Sequence, residues 1–116
     1  MTVLTAIRGP HGVQVRPFAI DTGASFTTCD PALLLTVGVV PSDVVETRSI
    51  AVVGGTRDTP LYRVTEVSAL GVSASGLPVA GIVMPRRLGI YGLLGLDFLR
   101  DRRLTIDFRA GTVELD

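Results

Sequence analysis

The sequence FAIDTGAS, residues Phe18 to Ser25, ends an apolar run in an acid, a hydroxyl and a glycine. Apolar residues in front of Asp21 are typical of the buried end of a strand, so the carboxylate is delivered to where that strand stops. A carboxylate in such a place costs free energy unless it is paired, hydrogen-bonded or used in chemistry. Gly23 permits a positive φ or a close approach of another backbone. The stretch therefore predicts a functional carboxylate on a tight loop, with an ordinary Asx turn as the alternative.

A second motif lies about seventy residues downstream, where Leu93–Leu99 (LLGLDFL) places two large aliphatic residues and a glycine before a short helix-like segment. Together with Asp21-Thr22-Gly23, this segment resembles the motif pair of the retropepsin-like aspartic proteases, the single-domain relatives of pepsin. The resemblance runs from about Val3 to Leu115, nearly the whole chain. It implies one domain over residues 1–116 with an all-β fold: a small closed β-barrel with one short C-terminal helix, assembled as a homodimer.

The resemblance also implies roles for the residues of both motifs. Asp21 is implied to be the catalytic residue. The active-site loop would be supported by Thr22, Gly23, Ala24 and Ser25. The ψ-loop that packs against this loop would contain Leu93, Leu94 and Gly95. In many retroviral members an acid and an arginine pair at the positions of Ser25 and Leu96, so their joint absence here indicates the cellular and bacterial branch.

Peptide hydrolysis of this type needs two carboxylates that share a proton. The chain has one Asp-Thr-Gly, and Asp58-Thr59-Pro60 is no second copy because proline replaces the permissive glycine and no apolar strand precedes it. We therefore expect an aspartic endopeptidase active as a homodimer, in which Asp21 and its symmetry mate activate a water to cleave an extended peptide or protein substrate. The alternatives are a retropepsin-like dimerisation or peptide-binding module with little or no activity, and a monomeric small β-barrel without a catalytic role.

Two strands are predicted at Val44–Val53 and Leu61–Val67, joined by a glycine-containing hairpin tip at Gly54–Pro60. In the resembled family this hairpin is the flap that closes over bound peptide. The resemblance implies flap and substrate contacts at Val53, Gly54, Gly55 and Thr56. A phosphate-binding loop is disfavoured because no Gly-Lys-Ser/Thr follows the glycines, whereas an ordinary hairpin turn stays open as an alternative.

The remaining elements follow from hydrophobic periodicity and capping residues. Strands are expected over Thr2–Ile7 and Val13–Ile20, and Asp30 begins a short helix that ends at about Thr36. A helix is expected over Leu96–Arg102, with the arginines at its end acting as cations at a helix C-terminus. Alternation over Leu104–Leu115 predicts a closing hairpin with a turn at Ala110-Gly111.

Composition excludes several other classes of function. The formal charge is zero, which removes a bulk electrostatic reason to expect nucleic acid as a partner. A single Cys excludes an internal disulfide, and one Cys with one His excludes most zinc sites, so we expect no metal and no cofactor. The longest apolar run, Leu33–Val40, is too short to cross a bilayer, and Met1–Leu4 lacks a signal-peptide layout. The expectation is a cytoplasmic protein without a membrane partner, unless the chain is a fragment of a larger one.

Overall fold

Eleven β-strands and two short α-helices make up the computed structural model, which describes all residues 1–116. The first five strands are β1 (Thr2–Gly9), β2 (Gly12–Ile20), β3 (Thr28–Cys29), β4 (Val44–Val52) and β5 (Gly55–Arg63). The other strands are β6 (Glu66–Ala69), β7 (Val72–Ser75), β8 (Pro78–Gly81), β9 (Gly92–Leu94), β10 (Leu104–Asp107) and β11 (Thr112–Leu115). The helices are α1 (Pro31–Thr36) and α2 (Leu96–Leu99).

Nine of the strands form one sheet in the order β4-β5-β8-β3-β9-β2-β1-β6-β7, while β10 and β11 form a separate hairpin. Short β9 lies between β2, to which it is parallel, and β3, to which it is antiparallel. The sheet ends at β4 and β7, which do not pair with each other. The expected β-rich fold is confirmed, whereas the expected closure into a barrel is not found.

The core is a single cluster of buried side chains drawn from both ends of the chain. Ile7 and Phe18 of the first hairpin pack there with Leu94 and Phe98 of the second motif, and all four are nearly inaccessible to solvent. Gly92 is required at this crossing, because a Cβ would collide with the Thr28 carbonyl oxygen and the Phe18 ring. The core therefore fixes β9 between the two strands that flank the Asp21 loop.

Helix α2 is shorter than predicted, and the prediction of a helix that reaches Arg102 is wrong. The helix ends at Leu99 because Arg100 takes extended dihedral angles and Asp101 has a positive φ of 64°. The arginines that follow lie outside the helix, and Arg103 instead approaches Asp116 at 3.6 Å. Helix α1 is present as expected from Asp30, whose carboxylate accepts from the Ala32 N–H, so the fold contains one helix more than the fold class allowed.

The β4–β5 hairpin is also tighter than predicted. Val52 pairs with Gly55, which leaves a two-residue turn at Val53-Gly54 in place of a seven-residue tip. Gly54, the second of the two turn residues, has a φ of 91°, the positive φ that a type II turn has at this position and that glycine adopts without strain. Gly55–Pro60, which the sequence assigned to the tip, therefore lie in β5.

The first and last hairpins agree with the sequence patterns. β1 pairs with β2 along its whole length across a turn at Pro10-His11. β10 pairs with β11, although β10 ends at Asp107, so the turn begins before the expected Ala110-Gly111. None of the helices has the length and apolar character needed to cross a lipid bilayer.

Candidate active site

Asp21 follows directly after the last residue of β2, where parallel pairing with β9 ends. Its backbone N–H donates to the Leu94 carbonyl oxygen at 3.0 Å, so this hydrogen bond holds the start of the loop at the end of β9. Its carboxylate Oδ1 accepts from the Gly23 N–H at 2.9 Å, while Oδ2 makes no hydrogen bond within the chain. Asp21 is half-buried. One carboxylate oxygen is therefore held in place and the other is left available.

The Asp21 loop forms one wall of a cavity of about 230 Å³. The last three residues of β4 also line this cavity. The lining side chains and backbone belong to Asp21, Gly23, Ala24, Ser25, Phe26, Thr28, Ile50, Ala51, Val52, Ile82 and Leu93. A carboxylate thus opens into a space that is mostly apolar and large enough for side chains of a bound molecule.

The four residues after Asp21 form the tight loop that the sequence suggested. The Ala24 N–H donates to the Asp21 carbonyl oxygen at 3.2 Å, which closes the turn. Gly23 lies against the carboxylate, since a Cβ there would be 3.2 Å from Asp21 Oδ1. Thr22 and Ser25 are exposed, and neither hydroxyl makes a hydrogen bond within the chain. The loop therefore has two hydroxyl groups free to bond with something outside the single chain.

The structure brings Leu93, Leu94 and Gly95, the residues that the resemblance assigns to the ψ-loop, into contact with this loop. Leu93 lines the cavity, Leu94 is fully buried, and Gly95 fits where a Cβ would lie 2.6 Å from the Phe26 carbonyl group. The Leu96 N–H then donates to the Ala24 carbonyl oxygen at 2.8 Å. The two motifs, far apart in sequence, form one packed unit.

A hydrogen-bond network between Thr27 and Asp97 supports this unit, and the sequence interpretation missed it. Asp97 Oδ1 accepts from the Thr27 N–H at 2.9 Å and from the Thr27 hydroxyl at 2.8 Å. The same hydroxyl accepts from the Gly95 N–H at 3.2 Å. Asp97 Oδ1 also accepts from the Phe98 N–H at 2.8 Å, at the start of α2. Two features of the sequence could have indicated it: an acid inside the otherwise apolar LLGLDFL segment, and the two threonines, Thr27 and Thr28, that follow the Asp21 loop.

The second oxygen of the Asp97 carboxylate, Oδ2, is buried without a hydrogen-bond partner. Burial raises the pKa of Asp97, and the hydrogen bonds from Thr27 and Phe98 lower it by less. The charged form of Asp97 is therefore disfavoured in the folded protein relative to a solvated aspartate.

The flap residues suggested by the resemblance, Val53, Gly54, Gly55 and Thr56, lie at the far end of the β4–β5 hairpin. They are exposed and do not line the cavity, whereas Ile50, Ala51 and Val52 do. Eight of the nine residues of β4 are exposed, the exception being Ile50. Arg48 lies over the Phe26 ring, 5.6 Å from its centroid. The outer half of the β4–β5 hairpin, residues 47–58, thus has almost no packing within the chain.

Cys29 is fully buried in the core. Burial raises the pKa of its thiol, and the neighbouring Asp30 carboxylate raises it further. The thiol is therefore a core side chain and not a nucleophile. The structure contains no group of three or more His, Cys, Asp or Glu side chains that could hold a metal ion.

Comparisons with known proteins agree with this geometry. A family model described as aspartyl protease matches residues 6–98. The fold is similar to the crystal structure of a retropepsin-like aspartic protease from Rickettsia conorii, with a TM-score of 0.61 and 18% sequence identity over 90% of this chain and 84% of that one. A search of curated proteins finds no match. Because the family model matches most of its length, the chain belongs to the aspartyl protease family, and its fold is retropepsin-like.

Proposed function

We propose that the protein is an aspartic endopeptidase that acts as a homodimer. The observation that carries the proposal is the Asp21 carboxylate, which faces an apolar cavity with one oxygen held by the Gly23 N–H and the other unbonded. A fixed and half-free carboxylate next to a space for side chains suits acid–base chemistry on a bound peptide.

The chemistry requires a second carboxylate, and each chain supplies one Asp-Thr-Gly. When two copies place their Asp21 residues about 3 Å apart, like-charge repulsion keeps one proton on the pair. The ionised Asp21 takes a proton from a water held between the two, and that water attacks the scissile carbonyl carbon. The protonated Asp21 gives its proton to the carbonyl oxygen, which yields a neutral tetrahedral diol. The Asp21 that took the water proton then gives it to the amide nitrogen while the other Asp21 takes a proton from the diol, and the C–N bond breaks with no covalent intermediate on the protein.

The unbonded hydroxyl of Thr22 is an observation in favour of the proposed dimer. It is exposed directly beside the catalytic carboxylate and has no partner in its own chain. Across a two-fold axis through the Asp21 pair, each Thr22 would meet the loop of the other protomer, because the same patch faces itself in such an interface. Hydrogen bonds made there would hold the two carboxylates in register.

The β4–β5 hairpin is an observation in favour of a peptide as the substrate. Its strand β4 is an edge of the sheet that pairs with β5 on one side only, and its residues Ile50–Val52 line the Asp21 cavity. An extended peptide that lies between the hairpin and the Asp21 loop could pair with the hairpin backbone and place alternate side chains in the cavity. The hairpin would then act as the flap.

The experiment that tests the proposal compares Asp21→Asn with Asp58→Asn on an unfolded protein substrate. Asp58 precedes a threonine, as Asp21 does, but it is exposed on β5 away from the cavity. We expect Asp21→Asn to lower the cleavage rate at least about a hundredfold, the scale of lost acid–base catalysis, and Asp58→Asn to keep it.

A statine-type transition-state analogue should abolish the wild-type cleavage in the same assay. Equal cleavage by wild type and a folded Asp21→Asn variant would refute the proposal. A wild type that binds peptides without inhibitor-sensitive cleavage would instead be a peptide-binding module.

A further inference from the structure

The largest cavity of the chain, about 380 Å³, is a second one that the proposed chemistry does not use. It lies between the start of α1 and the segment that leads into β9. Its walls include the apolar side chains of Met84, Ile90 and Tyr91 and the charged side chains of Asp30 and Arg86.

This second cavity continues the Asp21 cavity along the same strands. Three chain segments each line both cavities, and in each segment the two lining residues are two positions apart. The pairs are Thr28 with Asp30, Ile82 with Met84, and Leu93 with Tyr91. Residues two apart on an extended chain share a face and are about 7 Å apart. Because β3 is parallel to β8 and antiparallel to β9, all three steps run in the same direction.

The backbone between the two cavities is extended and paired. Asp30 has extended dihedral angles (φ −61°, ψ 131°), and its N–H donates to the Tyr91 carbonyl oxygen at 2.8 Å. The pairing of β3 with β9 therefore extends past Cys29 into the wall of the second cavity. An extended peptide, whose same-face side chains also repeat every 7 Å, matches this spacing.

The charges in the second cavity favour an anion. Both oxygens of the Asp30 carboxylate are engaged by backbone N–H groups, Oδ1 by Ala32 and Oδ2 by Met84, each at 2.9 Å. Arg86 is exposed, and the ion pairs of the molecule lie elsewhere. Arg86 is thus the one cation on the cavity wall, and the acceptors of the one carboxylate there, Asp30, are already used.

We infer that the second cavity is a specificity subsite that binds an acidic side chain of the peptide, two positions from the side chain that occupies the Asp21 cavity. The carboxylate of a peptide glutamate pairs with the Arg86 guanidinium, and its methylene groups lie against Met84 and Tyr91. The inference rests on the proposed function, because it takes a bound peptide as the occupant.

The test measures binding separately from cleavage. Fluorescent ten-residue peptides with an apolar centre carry a single Glu or a single Gln at each position in turn, and their binding to Asp21→Asn is followed by anisotropy at pH 7. We expect two positions, one on each side of the peptide centre because both protomers contribute the cavity, at which Glu binds about fivefold more tightly than Gln, the scale of one ion pair near a surface.

Adding Arg86→Gln should remove this preference, whereas Arg87→Gln, a neighbouring arginine outside the cavity wall, should keep it. A Glu preference at no position, a preference that survives Arg86→Gln, or no binding of any peptide would each overturn the inference.

The same peptides incubated with wild type separate the two claims. Cleavage without a Glu preference would overturn the subsite and leave the endopeptidase. A Glu preference that depends on Arg86, without cleavage, would overturn the endopeptidase and leave the subsite.

Discussion

Asp97 is the residue whose protonation is coupled most clearly to folding. Its carboxylate is held by Thr27 and Phe98 through one oxygen, while the other oxygen is buried without a partner. Because burial raises its pKa in the folded state, the protonated form is favoured there. The stabilisation that results is complete below the pKa of the unfolded chain, about 4, and is lost as the pH rises through the higher folded value.

The variant Asp97→Asn should remove this pH dependence, since an amide does not ionise and its oxygen can still accept from Thr27. Relative to Asp97→Asn, we expect the unfolding free energy of wild type to fall as the pH rises from about 4 to 7. Urea unfolding at a fixed protein concentration measures the difference, with exposed Asp58→Asn as the control. A wild type that gains stability over Asp97→Asn with rising pH would show that the hydrogen bonds outweigh burial.

At this scale the sequence predicted that Asp21 lies at the end of a buried strand, but it missed the hydrogen bonds that support the Asp21 loop. An acid at the end of an apolar strand is visible in one stretch of chain, as is the glycine two residues later. The Thr27–Asp97 hydrogen bonds join residues 70 positions apart, and the β9 register that brings them together depends on the Gly92 and Gly95 contacts. Nothing local in either segment indicates which side chains will meet.

Among the elements, the β4–β5 hairpin is the one that the structure leaves least constrained. Its outer half is exposed on both faces, and Val53 at the turn is fully exposed. The β1–β2 hairpin has strands of similar length, but it buries Ile7 and Phe18 completely. Few buried contacts correspond to a low free energy of local opening.

We therefore predict that backbone amides over residues 47–58 exchange with deuterium at least about tenfold faster than the paired amides of β1 and β2. A bound statine-type inhibitor should slow exchange in the β4–β5 hairpin and leave the β1–β2 hairpin unchanged. Hydrogen exchange followed by mass spectrometry resolves both segments. Equal protection of the two hairpins in the free protein would contradict a mobile β4–β5 hairpin.

The bounds of elements were predicted well where a pattern is repeated and poorly where a single residue decides them. Alternation gave both strands of the first and last hairpins, and Asp30 gave the start of α1. The early end of α2 depends on the left-handed conformation of Asp101, which a non-glycine residue seldom adopts. The two-residue turn at Val53-Gly54 depends on which of two adjacent glycines takes the turn position, and the sequence allows either.

For the whole molecule, the β-rich fold could be predicted because two motifs at family spacing fix which strands meet around Asp21. The closed barrel that the resemblance implied is not found, because the edge strands β4 and β7 do not pair, and nothing in their sequence patterns indicates whether they would. The proposed dimer is likewise inferred from the chemistry rather than from a sequence pattern. One chain holds one Asp-Thr-Gly, so a two-carboxylate mechanism needs two chains.

The central claim, that one active site takes Asp21 from each of two copies, is tested most directly by mixing wild type with inactive Asp21→Asn and measuring cleavage per wild-type chain. If the copies exchange partners at random, three parts of the variant to one of wild type leave about a quarter of the wild-type chains in wild-type pairs. The account predicts that activity per wild-type chain falls to about a quarter of its unmixed value. The same excess of Asp58→Asn should not lower the activity per wild-type chain. Activity per wild-type chain that stays constant in a mixture whose subunits have been shown to exchange would contradict it.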